Sequence, residues 1–133
     1  MIVVDASAIN AVLLREDEAE SVLKSFGGEE GFLAPALLFY EVANTLATAR
    51  RRGRLDDMLL RDAELQLFEF PWAFETAMGP EVLRENIARA VASGLMAYDA
   101  AFLNLAVRHR CPLVTLDREL RRVAQQAGVQ VRP

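Results

Sequence analysis

A chain of 133 residues, 53% apolar and 26% charged, is long enough to bury one core, and its composition excludes disordered and fibrous proteins. The net charge of −4 argues against a protein that wraps duplex nucleic acid. No apolar run nears the roughly 18 residues that span a bilayer, and the N-terminus lacks a signal-peptide pattern. A single cysteine, Cys111, fits a reducing compartment. We therefore expect a cytoplasmic protein that is not attached to a membrane.

Short apolar segments alternate with helical patterns along the chain. Residues 2–4 predict a buried β-branched strand, and Ser7 suits the start of a helix over residues 8–14. The other predicted elements are helix 15–26, strand 32–34, helix 35–52 opened by Pro35, helix 55–68, edge strand 70–74, helices 80–94 and 97–110, strand 113–116, helix 118–127 and strand 129–131. This order predicts an α/β fold: one domain, residues 1–133, with a central and mostly parallel sheet of four to five short strands flanked by helices.

Four acidic residues lie at or near junctions between apolar segments and helices. Asp5 and Asp117 each follow a predicted strand at its carboxyl end, where open parallel sheets form their sites. Asp99 lies in the first turn of a helix, on the face that carries apolar residues three, four and eight positions later. Glu41 borders the apolar stripe of its own helix and shares a polar strip with Asn44. The four carboxylates are therefore predicted to meet at one rim of the sheet.

Ionised carboxylates that face a protein interior are costly unless positive charge meets them. No lysine or arginine is close in sequence to Asp5, Glu41 or Asp99. A divalent cation is the economical explanation, and carboxylate oxygens suit Mg²⁺ or Mn²⁺. One or two such ions, roughly 3.5–4 Å apart if two, would make a phosphoryl-transfer site. Each acid also has an ordinary explanation: Asp5 and Asp117 as helix caps, Asp99 as a dipole partner, and Glu41 as a surface residue.

Arginine supplies nearly all of the positive charge, and it binds phosphate with a bidentate fork. One arginine cluster lies in residues 50–54 at a predicted helix end, where it can also complement the helix dipole. The second cluster is Arg118, Arg121 and Arg122, which directly follow Asp117. This second cluster is the better candidate for binding a substrate phosphate.

Four stretches, in this order, carry a family resemblance. They are residues 3–8 (VVDASA), 35–44 (PALLFYEVAN), 98–103 (YDAAFL) and 113–117 (LVTLD). Together they resemble the PIN domain, and most closely its VapC-type branch, the toxin ribonucleases of prokaryotic toxin–antitoxin pairs. The similarity covers nearly the whole chain, with residues 55–74 matching least well. It implies an endoribonuclease that depends on Mg²⁺ or Mn²⁺, acts on RNA, works as a homodimer and is silenced by a cognate antitoxin.

The same resemblance assigns roles to individual residues. The metal-binding and catalytic acids would be Asp5, Glu41, Asp99 and Asp117. Polar supporting positions are matched by Ser7, Asn44 and Thr115. Asp5 and Asp99 would anchor one ion and Glu41 would complete the acidic pocket, whereas Asp117 would hold a second ion or orient the attacking water. The arginines at 118, 121 and 122 could then meet the RNA phosphate.

Other functions share some of these features. A receiver-like phosphoacceptor domain would need a lysine near its end, and Lys24 is badly placed for that role. A haloacid-dehalogenase-like enzyme would need a second aspartate two positions after Asp5, where Ser7 stands. A PIN-like domain that only binds nucleic acid, or one directed at DNA, stays open. Residues 55–74 carry more apolar side chains than one small helix need bury, and they are either core or a groove for a dimer or antitoxin partner.

Overall fold

All 133 residues are described by a computed structural model, which contains five strands and seven helices. The strands are β1 (Ile2–Val4), β2 (Phe32–Pro35), β3 (Trp72–Glu75), β4 (Leu113–Val114) and β5 (Val131–Arg132). The helices are α1 (Ala6–Leu13), α2 (Ala19–Phe26), α3 (Leu37–Arg51), α4 (Asp57–Glu69), α5 (Pro80–Ser93), α6 (Ala97–His109) and α7 (Arg118–Gln126). The prediction of an α/β domain is confirmed.

The five strands form one sheet in the order β3-β2-β1-β4-β5, and every neighbouring pair is parallel. Val3 of β1 stands between Leu33 of β2 and Leu113 of β4. From β1 the chain adds β2 and β3 on one side and then crosses to β4 and β5 on the other. The strand order therefore reverses between β1 and β4. The carboxyl ends of these two strands mark the edge at which open parallel sheets bind their ligands.

The core forms around β1, the central strand. Its three residues, Ile2–Val4, are fully buried, as expected for a parallel strand covered on both faces. Helix α6 lies against β1, β2 and β4, and its Phe102 and Leu103 are also fully buried. Helix α1 contacts α2, α3 and α4, and α3 contacts β2. This packing holds the helices that carry the four acids around the end of β1.

The predicted helix over residues 15–26 begins four residues late, at Ala19. Arg15 has a left-handed backbone with a φ of 55°, so it cannot continue a helix. Its N–H donates to Val12 O at 3.2 Å, and Glu16 N–H donates to Ala11 O at 2.9 Å. These two bonds form a Schellman motif, which ends α1 and turns the chain away from it. Sequence analysis missed this stop because the αL position is occupied by arginine and not by glycine.

Other predicted boundaries shift as well, and three of them have a local cause. Pro35 ends β2, paired with Glu75, and α3 begins at Leu37. The ladder to β1 stops before Pro35, so its missing N–H is not needed there. β4 ends at Val114, because the chain turns after it into the cap of α7. β5 begins only at Val131, since Val129 N–H donates to Ala124 O and closes the end of α7.

Helix α5 differs from the other helices because none of its residues is buried. Leu83, Ile87 and Val91 lie four residues apart along it and are 61%, 51% and 80% exposed. They form an apolar stripe on the protein surface. No single helix combines the length and apolar composition needed to cross a membrane; α5 and α6 meet that test only as a pair bent by 108°.

Candidate functional site

Asp5 lies directly after β1 and is only 4% exposed. It caps α1, since its Oδ2 accepts a hydrogen bond from Ser7 N at 3.3 Å. The same oxygen also accepts from Ser7 Oγ and, at 2.8 Å, from Thr115 Oγ1. Burial raises the pKa of Asp5, and the hydrogen bonds from Ser7 and Thr115 only partly oppose that rise. The carboxylate is thus held through Oδ2, while Oδ1 takes no part in these bonds.

The hydroxyl groups around Asp5 tie the ends of β1 and β4 together. Ser7 Oγ accepts from Leu116 N at 2.9 Å and stands 3.2 Å from Thr115 Oγ1. Thr115, which is fully buried, accepts from Asp117 N at 3.1 Å through the same hydroxyl that donates to Asp5. Of the polar residues expected to support the acids, Ser7 and Thr115 therefore contact Asp5 directly.

Glu41 lies in the second turn of α3 and is half-buried. Its Oε2 is buried and has no hydrogen-bond partner. Loss of solvation, followed by the charges of Asp5 and Asp99, raises the pKa of Glu41 to about 7. The carboxyl group therefore lies within electrostatic range of two other acids, and near neutral pH it is divided between its charged and neutral forms.

Asp99 is the third residue of α6 and is also half-buried. Loss of solvation, then Asp5 and then Asp117 raise its pKa to about 6. Asp117 itself is exposed, and it caps α7 by accepting from Leu120 N at 2.7 Å. The cap explanation for Asp117 is therefore correct, and its charge also acts on Asp99. All four predicted acids belong to one electrostatic group at the switch point of the sheet.

No group of three histidine, cysteine or acidic side chains stands in a geometry that could hold a metal ion. The charges of Asp5, Asp99 and Asp117 still raise the pKa of neighbouring carboxyl groups, so the acids are close to one another although their oxygens do not converge. The residues nevertheless fit a hard divalent cation in their chemistry. Glu41 Oε2 is a buried oxygen without a donor, and burial opposes the charge of Asp5, Glu41 and Asp99, which a cation would stabilise.

The remaining predicted residues fall into two groups. Asn44 is exposed and forms no hydrogen bond with any of the acids. Arg121 is committed to the fold: its guanidinium donates to Thr115 O at 2.9 Å and to Pro133 O at 3.1 Å. Arg122 pairs with Glu119 on the exposed face of α7. Arg118 is exposed and forms no ion pair, so it is the most accessible of the three arginines.

One polar contact near the acids was not predicted. Asn10 Nδ2 donates to Thr45 Oγ1 at 3.1 Å across the α1–α3 contact, and Asn10 Oδ1 is buried without a partner. A sequence signal for Asn10 exists, since it is the only amide in the mostly apolar first helix. Thr45 follows Glu41 by one helical turn and so lies on the same side of α3.

The chain is similar to known proteins of one family. The sequence profile of the PIN domain matches residues 2–126. Ribonuclease VapC3 of Pyrobaculum aerophilum is 36% identical over 119 residues, covering 90% of this chain and 91% of that protein. Ribonuclease VapC9 of Mycobacterium tuberculosis is 33% identical over 134 residues, covering 100% of this chain and 99% of that protein.

Two solved structures share the fold. One is the crystal structure of PAE2754 from Pyrobaculum aerophilum, which is 30% identical in sequence and has a TM-score of 0.65. The match covers 98% of this chain and 82% of that one. A toxin–antitoxin complex from Klebsiella pneumoniae, 14% identical with a TM-score of 0.59, is similar in fold over 88% of this chain and 87% of that one. The chain therefore belongs to the PIN domain family. Within that family it is of the VapC type, and the resemblance found in the sequence is confirmed.

Proposed function

We propose that this protein is an endoribonuclease that hydrolyses RNA phosphodiester bonds with Mg²⁺ or Mn²⁺ as cofactor, and that it is the toxin of a VapBC-type toxin–antitoxin system. One observation carries the proposal. The four carboxylates of Asp5, Glu41, Asp99 and Asp117 are coupled at the sheet's switch point, in a chain whose curated relatives are VapC ribonucleases.

Asp5, Glu41 and Asp99 would hold the cation. Their raised pKa values express the cost of keeping charge on partly or fully buried carboxyl groups, and a cation offsets that cost. When bound, a divalent ion lowers the pKa of a coordinated water and stabilises charge on phosphate oxygens. Asp117 would hold a second ion or orient the attacking water.

The side chains around Asp5 have a separate task. Ser7 and Thr115 fix Oδ2, so the direction of Oδ1 is constant before any ligand arrives. Such pre-orientation of a ligand by its neighbours supports both affinity and rate. The two hydroxyls come from the first turn of α1 and from the residue after β4, and they hold Asp5 and the cap of α7 in one network.

Contacts to RNA phosphate are best assigned to Arg118, with Arg122 joining if it leaves Glu119. Arg121 was a candidate as well, but its bonds to Thr115 O and Pro133 O give it a structural part instead. Removing the charge of Arg118 should weaken RNA binding and lower the salt dependence of that binding. An unchanged salt slope in Arg118→Gln would argue against this assignment.

We further propose a cognate antitoxin and a second copy of the chain as partners, in the cytoplasm. Two apolar surfaces support this. A groove of about 380 Å³ runs between α3 and α4 and is lined by residues that include Phe39, Leu46 and Phe68. The stripe on α5 is the other surface. The groove lies partly in residues 55–74, where apolar side chains exceeded what one helix need bury.

The decisive experiment is cleavage of pooled cellular RNA by the purified protein with Mg²⁺, with Mn²⁺ and with EDTA. Asp99→Asn should abolish the discrete products that appear with metal, and it should do so without loss of thermal stability. Asp17→Asn is the matched control, since it makes the same chemical change at an exposed residue that is not one of the four acids. Metal-dependent cleavage by Asp99→Asn would refute the proposed site. Metal binding without cleavage of RNA, or cleavage of DNA alone, would favour the binding-only or DNA-directed alternative.

A further inference from the structure

Only two buried side-chain polar atoms in this protein lack a hydrogen-bond partner: Asn10 Oδ1 and Glu41 Oε2. Thr45 links the two residues. It accepts from Asn10 Nδ2 at 3.1 Å, and it stands one helical turn after Glu41 on the same side of α3. Asn10 therefore lies at the contact between α1 and α3, and Glu41 lies one turn before its partner Thr45 on α3.

These two oxygens pose one chemical problem. When Glu41 is ionised both atoms are acceptors, so neither can satisfy the other. A buried acceptor without a donor is unfavourable, and native structures resolve nearly all such cases with protein, water or a bound ion. A hydrated divalent cation supplies positive charge for Glu41 and a donated proton for Asn10. The carbonyl oxygen of an amide is also a known ligand of such ions.

The location agrees with this solution. Helix α1 begins at its cap, Asp5, and α3 carries Glu41, so the two helices that Asn10 bridges each bring one acid to the site. Asn10 is a polar residue in α1 between neighbours, Ala8, Ile9, Ala11 and Val12, that are all apolar and buried. A polar residue at this position gives no packing advantage. The bond to Thr45 uses the amide nitrogen of Asn10 and leaves the amide oxygen without a partner.

We propose that Asn10 is a positioning residue of the cation site: its Oδ1 accepts a hydrogen bond from a water bound to the divalent ion that Asp5 and Glu41 hold. The inference rests on the proposed function, because it needs that ion. Asn10 acts through the water and does not contact RNA. The competing explanation is that Asn10 only ties α1 to α3 through Thr45.

Titration of the full-length protein with Mn²⁺, followed by calorimetry, separates the two explanations. Asn10→Leu removes both ends of the amide at similar size, whereas Thr45→Val removes the tie but keeps Asn10 Oδ1. We expect Asn10→Leu to raise the Kd for Mn²⁺ by about tenfold, the lower range for loss of a group that supports a metal ligand, and Thr45→Val to raise it much less. Equal increases in the Kd of the two variants would show that Asn10 only joins α1 to α3 through Thr45, and they would overturn the proposal.

A second variant, Asn10→Asp, tests the proposal in case Asn10→Leu does not fold. Asn10→Asp keeps the size of the side chain and places a charge where the water should bind, so Mn²⁺ affinity should rise. An unchanged or weaker affinity would overturn the proposal even if Asn10→Leu does not fold.

Asp5→Asn distinguishes failure of the Asn10 role from failure of the cation site itself. If it abolishes Mn²⁺ binding while both Asn10 variants bind as the wild type does, only the role of Asn10 fails. If the wild type binds no Mn²⁺, or Asp5→Asn binds it normally, the cation site and the proposed function fail.

Discussion

Glu41 and Asp99 have raised pKa values for the same two reasons, in the same order: loss of solvation, then neighbouring carboxylates. Sequence periodicity places each on a helix face that borders the core, which accounts for the first reason. The second reason requires that Asp5 and Asp117 come close, which only the sheet can arrange. At the scale of the residue, the site therefore consists of groups whose charge is unfavourable until a partner arrives.

Replacing Glu41 by glutamine should stabilise the metal-free protein at pH 8. The wild-type carboxyl, with a pKa of about 7, is ionised there despite its loss of solvation and the charges of Asp5 and Asp99, and glutamine carries no charge to be opposed by either. The free energy of unfolding should rise by roughly 1 kcal/mol, allowing for solvent screening of a half-exposed group, or about 4 °C in Tm. Thermal unfolding in EDTA measures this change.

The pH dependence is the control for this prediction. At pH 5 Glu41 is already mostly neutral in the folded protein, so the gain from Glu41→Gln should be small. Glu30→Gln, at an exposed residue without an ion pair, should have no effect at either pH. An equal gain at pH 5 and pH 8 would mean that the ionised form of Glu41 is not the cause.

At the scale of the element, helix N-termini position two of the four acids. Asp5 and Asp117 cap α1 and α7 through their own carboxylates, so each acid is fixed by the helix that it starts. The helix ends are equally defined: Arg15 closes α1 in the left-handed region, and Gly53 does the same after α3 with a φ of 72°. A cap and a site ligand are thus compatible tasks for one aspartate, because it has two oxygens.

Two substitutions of Asp117 should separate the cap from the charge. Asparagine caps a helix about as well as aspartate, so Asp117→Asn should keep the stability of the metal-free protein within about 0.5 kcal/mol. Asp117→Ala loses the bond to Leu120 N and should cost about 1 kcal/mol in urea unfolding. RNA cleavage should fall in both variants. If Asp117→Asn cleaves RNA as the wild type does, Asp117 is only a cap.

At the scale of the whole molecule, the acid cluster should set how stability depends on pH. The folded pKa values of Asp99 and Glu41, about 6 and about 7, exceed their ordinary values of 3.8 and 4.5. The folded state therefore binds more protons than the unfolded state between pH 4 and pH 7, and its stability falls as pH rises through this range. Glu29 has a lowered pKa and acts in the opposite direction, but below pH 4.5.

The metal-free wild type should accordingly have a lower Tm at pH 8 than at pH 5. Adding Mg²⁺ at pH 8 should recover the loss, because a ligand that binds only the folded state stabilises it by RT ln(1 + L/Kd), where L is the concentration of free ligand. Differential scanning calorimetry with EDTA or with Mg²⁺ provides both measurements. A Tm in EDTA that rises from pH 5 to pH 8 would contradict the raised pKa values of these acids.

The exposed apolar surfaces bear on the assembly of the whole molecule. We expect sedimentation at micromolar concentration to show a dimer, and Ile87→Asp on the α5 stripe to convert it to a monomer, since a charge at the centre of an apolar interface is costly. Leu65→Asp is the matched variant on α4, where Leu65 is 60% exposed. Loss of the dimer in Leu65→Asp alone would assign the interface to α4 instead, and a wild-type monomer would remove the dimer proposal.

The sequence by itself determined the order of strands and helices, the α/β class and the position of Asp5 and Asp117 at strand ends, because period, caps and strand ends are local properties of the chain. Tertiary structure decided which side chains meet. Asn44 shares a helical row with Glu41 yet faces solvent, whereas Asn10 reaches the same helix from α1. Helical periodicity states which residues share a face, but it cannot state which neighbouring element covers that face.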